Sequence, residues 1–243
     1  MRELKTVLAQ HFLLRDLSPR DLERVGELAT TRWYQPNQPV FMKGDPGSAM
    51  MAVLSGRVRI CAYSADGREV VLNVINPGEI FGEIALIDGG ERTADAFAME
   101  QTELLSLSRR DFLPYLESNP PVCIKLLTIL CQRLRATSEQ LEDFNFLDLR
   151  CRLAKRLLYL ASLHGEAAAK GVHIGVRLPQ HLLASMIGTS REAVNKQLRG
   201  WEAEGLIDVR RSSITILDRA GLEAIVSDLA WIPATAGSPT TDG

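Results

Sequence analysis

In the stretch "FGEIALIDGGERTADA", residues 81–96, Glu83 follows Gly82 on an apolar run, and nine residues further on Arg92 stands with Thr93 beside it. An ionised carboxylate only accepts hydrogen bonds, whereas a guanidinium offers a planar fork of donors that matches anionic oxygens. Held near each other without a ligand, the two would form a buried ion pair, an arrangement often neutral or unfavourable beside apolar packing. A binding role explains them better than a structural one.

A second cluster lies in "LPQHLLASMIGTSREAVNKQLRGWEAEGLI", residues 178–207. Pro179 suits a helix start, Gly188 the left-handed position that ends a helix, and Ser190 the cap of the next. Ala184, Gly188 and Val194 are spaced for two helices crossing over a glycine turn, which is helix-turn-helix geometry. Arg191 and Glu192 fall in the first turn of the second helix and Lys196 one turn later. A guanidinium can pair with guanine O6 and N7 and a carboxylate can accept from cytosine N4. The plain alternative is that Glu192 and Lys196 form a solvated i,i+4 pair worth a few tenths of a kcal/mol, roughly. Downstream, two β-runs at 206–209 and 214–217 flank Arg210, Arg211 and two serines, as in a phosphate-touching wing. That combination favours DNA.

The elements that must hold these clusters differ along the chain. "LSPRDLERVGELA", residues 17–29 with Ser18 as cap and Pro19 at the first helical position, predicts a short amphipathic helix. From Trp33 to Ser108, short β-rich runs alternate with turn signals at 44–47, 56, 66–67 and 77–78, the texture of a β-sandwich or jelly roll. Residues 121–148 contain no glycine; Leu127, Leu134 and Leu141 recur every seven residues, with Leu130, Thr137 and Phe144 as a companion row. That is a coiled-coil seam and predicts a dimer, a single core helix being the alternative. A helix over 149–163 and a polar connector over 165–175 follow, and the Pro/Thr/Gly-rich end reads as a disordered tail.

Composition narrows the classes. The 243 residues are 46% hydrophobic, enough for packed cores. No window reaches the length of a membrane span, and Glu3, Lys5, Arg15 and Asp16 interrupt any export signal, so the chain is expected in the cytoplasm. Residues 1–147 carry 16 basic and 20 acidic side chains against 12 and 10 in 148–243, which puts any polyanion at the C-terminal end. Cysteines 61, 123, 131 and 151 have no metal or disulfide spacing, and histidines 11, 164, 173 and 181 form no catalytic or metal set. No metal, no cluster and no enzyme activity are expected.

Over residues 10–225 the chain resembles the Crp/Fnr group of bacterial transcription regulators, on the side of its cyclic AMP receptors. Residues 81–96 are similar to the phosphate-binding cassette of cyclic-nucleotide domains, "RATSEQ" (135–140) to the helix segment that touches the purine, and "TSREAVNKQL" (189–198) to the recognition helix. The resemblance implies an α+β chain: an N-terminal β-roll (1–120), a dimerisation helix (121–147), a C-terminal winged helix-turn-helix domain (148–230) and a tail (231–243). It implies a ligand site of Gly82, Glu83, Ile84, Ala85, Arg92, Thr93, Thr137 and Ser138. Arg92 would fork onto the cyclic phosphate and Glu83 accept from the ribose 2′-hydroxyl. Thr137 and Ser138 would touch the adenine amino group, one from each subunit of a homodimer. It implies DNA contacts from Gln180, Ser190, Arg191, Glu192, Asn195, Lys196, Arg210 and Arg211, and RNA polymerase as a partner. Cyclic AMP is favoured and cyclic GMP competes, because a hydroxyl donates as readily as it accepts. Cyclic di-GMP, haem or oxygen sensing, and a signalling module acting on a protein partner, are the alternatives. The Glu83–Arg92 interval is one residue shorter than in enterobacterial members, and Lys196 replaces their arginine. No promoter-contact match is found at 165–175.

Overall fold

The computed structural model describes residues 29–227, so the helix expected at 17–29 lies, but for its last residue, outside the described residues, as does the tail from 231. Contacts divide the chain into two compact units between Glu139 and Gln140.

The first unit is built on eight strands: β1 (Ala29–Tyr34), β2 (Pro39–Phe41), β3 (Ala49–Ser55), β4 (Val58–Tyr63), β5 (Glu69–Ile75), β6 (Ile80–Phe81), β7 (Asp95–Ala98) and β8 (Thr102–Ser108). They form two antiparallel four-stranded sheets, ordered β1-β8-β3-β6 and β2-β7-β4-β5. Three helices interrupt or follow them: α1 (Glu83–Asp88), α2 (Arg109–Ser118) and α3 (Pro120–Phe146). Successive residues of a strand face opposite ways. Val53 and Leu104 therefore pack between the sheets, while Met50 and Ala52 of β3 and Leu105 and Leu107 of β8 pack beneath Phe112, Leu116, Val122 and Leu126 of the helices. β3, at the centre of the first sheet and covered on both faces, reads as a continuous apolar run for that reason.

β1, β6 and β7 carry no clear sequence signal. Four of the six β1 residues are exposed and β6 has two residues, so neither shows a usable alternation.

The second unit contains α4 (Leu149–His164), β9 (Gly165–Ala167), β10 (Val172–Ile174), α5 (Gln180–Ile187), α6 (Arg191–Ala203), β11 (Ile207–Arg210), β12 (Ser213–Ile216) and α7 (Arg219–Ser227). Its antiparallel sheet runs β11-β12-β10-β9. Residues 165–175, expected as a polar connector, thus form a hairpin: Gly171 turns at φ 79°, and β10 pairs with β12, forty residues on, to bury Ile174. Three-residue strands are too short to announce themselves. Asp148 caps α4 by accepting from the Cys151 amide at 2.8 Å.

One row of the expected seam changes. Leu127, Leu134 and Leu141 are open, at 54, 68 and 63% exposure, and the open companion row is Ile124, Cys131 and Ser138. Leu130 and Phe144, placed there by heptad counting, are half-buried on their own chain. Rows three residues to either side of a leucine row share its period, and only packing decides between them. Among the described residues no helix is long and apolar enough to cross a membrane.

Candidate functional site

Gly82 precedes α1 in the left-handed conformation, φ 76°, and a Cβ there would come within 2.5 Å of Arg92 Nη1. Only glycine admits both the backbone angle and the guanidinium. Arg92 is 5% exposed; its Nη1 donates to the Gly82 carbonyl at 2.9 Å and its Nη2 to that of Ala49, with the group 4.2 Å above the Phe41 ring. Its main chain is pinned by Arg92 N–H to Asp45 O and Gly44 N–H to Arg92 O. Burial pushes its pKa down from the usual guanidinium value, opposed by the Asp45 and Glu83 charges; it remains a cation. Its Nε is buried without a partner.

Glu83 is 1% exposed. The ion pair with Arg92 that the sequence allows is not formed. One carboxylate oxygen is instead held by Arg133 Nη1 from α3, while Arg133 Nη2 donates to the Ile80 carbonyl. The other oxygen, Oε2, is buried with no partner. Arg133 is the residue sequence reasoning missed. Its one signal was lying four residues before Thr137, on the same face of a helix.

The remaining expected ligand residues are arranged less tightly. Ala85 is buried and packs on Gly47, where a Cβ would lie 2.0 Å away; Ile84 and Thr93 are exposed. Thr137 and Ser138 are exposed on α3, their hydroxyls donating to the carbonyls of Arg133 at 2.8 Å and Leu134 at 3.0 Å. Thr137 therefore continues the Arg133 face, and Ser138 the open companion row of Ile124 and Cys131.

In the second unit the crossing of α5 and α6 follows its local chemistry. Gly188 ends α5 at φ 63°, its N–H donating to Ala184 O, and the Ser190 side chain accepts from the Ala193 amide at 3.1 Å. Val194, Leu198 and Trp201 are buried; fully burying an aliphatic side chain contributes on the order of 1.5–3 kcal/mol. Arg191, Glu192 and Lys196 are exposed on the other side, and so is Arg199, which the sequence did not single out. Gln180 and Asn195 are half-buried and joined by a hydrogen bond of 3.3 Å. In the β11–β12 hairpin, Arg210 pairs with Asp208 at 3.0 Å and Arg211 occupies the turn at φ 59°.

Comparison with known proteins gives two family matches, a cyclic nucleotide-binding domain over residues 31–119 and a Crp-like helix-turn-helix domain over residues 151–225. The cyclic AMP receptor protein of Thermus thermophilus is 35% identical over 218 residues, 90% of this chain and 98% of that protein. This chain belongs to the Crp/Fnr family of transcription regulators. A CRP-like cAMP-activated global transcriptional regulator of Mycobacterium tuberculosis is 33% identical over 195 residues, 78% of this chain and 87% of that one. Among solved structures, a c-di-GMP-responsive global regulator of Xanthomonas campestris aligns with a TM-score of 0.74 at 27% identity, covering 82% of this chain and 99% of that chain. In this Crp/Fnr regulator, Glu83 and Arg92 fall inside the nucleotide-binding match, and α5, α6 and the β11–β12 wing inside the DNA-binding one. Among the described residues no three His, Cys, Asp or Glu side chains gather where they could hold a metal ion.

Proposed function

We propose that this chain is a homodimeric, cytoplasmic transcription regulator gated by cyclic AMP, a binding protein with no reaction of its own. One observation carries the ligand reading: both charged residues are left with a buried unmatched atom, an acceptor at Glu83 Oε2 and a cationic donor at Arg92 Nε. Buried polar atoms in folded proteins are nearly always paired, and leaving one unpaired costs about 1–3 kcal/mol, more when it is charged. A 3′,5′-cyclic nucleotide supplies both partners, an anionic phosphodiester for Arg92 and a free ribose 2′-hydroxyl for Glu83. Gly82, Ile84, Ala85 and Thr93 would line the same site. Thr137, on the Arg133 face, would reach the purine from the ligand's own subunit, and Ser138, on the open row, from the other. Two curated relatives are named as cyclic AMP regulators, which favours adenine over guanine.

The same cluster supplies the gate. Glu83 is already held by Arg133 of α3, so a hydroxyl that bonds this carboxylate acts on the helix whose open leucine row would pair the subunits. The ligand shifts the protein only by its differential affinity for two arrangements of that contact. Two recognition helices α6 would then meet half-sites about 34 Å apart. Ser190, Arg191, Glu192, Asn195 and Lys196, with Gln180 at the start of α5, would face the groove, and Arg210 and Arg211 the flanking phosphates. RNA polymerase would be met at the promoter so bound.

Calorimetric titration with cyclic AMP, cyclic GMP and cyclic di-GMP tests the reading. Cyclic AMP is expected to bind tightest, and Arg92→Ala to weaken it by about 10- to 150-fold, the worth of a charged hydrogen bond. Cyclic di-GMP is the second reading, favoured by the Xanthomonas regulator; its tighter binding would replace cyclic AMP. An Arg92→Ala protein with wild-type affinity for every nucleotide would remove the site.

A further inference from the structure

Asn195 lies on the flank of α6 that faces α5, four residues after Arg191 and four before Arg199, both exposed. Its carbonyl Oδ1 accepts from Gln180 Nε2, the first residue of α5, at 3.3 Å, and its Nδ2 donates to no described residue. An asparagine that reads DNA most often grips adenine with both ends of the amide, donating to N7 and accepting from N6. That grip requires a free carbonyl, and here the carbonyl is turned to α5.

We infer that Gln180 is a positioning residue that fixes the Asn195 amide with its donor end outward, so that Asn195 selects a keto base, guanine or thymine, rather than adenine. The inference rests on the reading of α6 as the base-reading helix and deepens it. The outward NH2 meets acceptors on guanine at O6 and N7 and on thymine at O4, whereas cytosine presents a donor and adenine only one acceptor beside its own amino group. Gln180 then has one of its two amide hydrogens engaged inside the protein. The DNA contact expected of it from the sequence passes to Asn195.

Selection of binding sites from a randomised operator library by the full chain, with cyclic AMP present, tests this in four proteins: wild type, Asn195→Ala, Gln180→Ala and the double variant. Wild type should enrich guanine or thymine at one position of each half-site, and Asn195→Ala should flatten that position alone. Gln180→Ala, which frees the carbonyl, should move the same position toward adenine by roughly 5- to 150-fold, the range of one good bidentate base contact. With Asn195 already removed, Gln180→Ala should leave the base profile unchanged. A Gln180→Ala protein that binds all sites more weakly with its profile intact would show a mere brace between helices and overturn the inference. So would an adenine at the wild-type position, or an Asn195→Ala profile like wild type. Thermal unfolding of each variant followed by circular dichroism controls for folding of the second unit. If wild type enriches no sequence at all, the DNA-reading role of α6 falls, and this inference with it.

Discussion

Glu83 and Arg133 make the strongest demand that single residues place on this protein. A carboxylate only 1% exposed is tolerated because a guanidinium from α3 reaches it. Removing one member of a buried pair leaves the other charge without compensation, at about 3–5 kcal/mol. Arg133→Ala is therefore expected to lower the stability of the ligand-free chain by that amount in denaturant unfolding. Glu83→Gln added to it should recover most of the loss, because the orphaned charge is gone. A single-variant loss below 1 kcal/mol would mean that water reaches Glu83 and that the pair is not the link between roll and helix. Arg92 differs. Its two terminal nitrogens already rest on the Gly82 and Ala49 carbonyls, so a phosphate that forks onto Nε and a terminal nitrogen must bring enough electrostatic gain to replace one of those bonds.

At the scale of elements, the helix ends are where sequence and structure meet most directly. The Asp148 carboxyl is held below its usual range chiefly by the backbone N–H of Cys151. A depressed folded-state value means that the cap stabilises above the ordinary carboxylate pKa, about 3.9, and loses its contribution as pH falls through the lower folded value. Asp148→Ala should cost about 0.5–2 kcal/mol at pH 7, and the gap to wild type should close as the pH drops below that window. Chemical denaturation across pH 2–7 gives both numbers. Gly188 combines a left-handed backbone with a crowded neighbourhood, since a Cβ would sit 2.6 Å from Phe144 Cε1. The backbone part alone costs about 1–2 kcal/mol for an L-residue. Gly188→Ala should weaken operator binding in a gel shift while leaving the cyclic AMP titration of the first unit unchanged.

For the whole molecule, the open row on α3 is the feature that a single chain leaves unfinished. Ile124, Leu127, Leu134 and Leu141 are exposed at heptad spacing, and a second copy related by a two-fold axis would cover them with the same row. Leu134→Glu is expected to turn a dimer into a monomer in analytical ultracentrifugation. Cys131 reports the register independently, for it lies in the same row and is exposed. Mild oxidation should join two chains through Cys131 in wild type and not in Cys131→Ser or Leu134→Glu. A dimer that survives Leu134→Glu and does not cross-link would place the interface elsewhere.

The sequence by itself determined what neighbouring residues decide. The Gly188 turn, the Ser190 cap, the two wing strands and the glycine beside Glu83 were legible because capping, left-handed backbone and strand alternation act over a few residues. Only the tertiary structure decided that Glu83 is held by Arg133, fifty residues away, that 165–174 forms a hairpin by pairing with β12, and that Phe144 turns to Gly188 while Cys131 and Ser138 stay in the open. Each of those outcomes depends on which distant surfaces are buried together, and a periodic pattern names the rows of a helix without saying which row is covered.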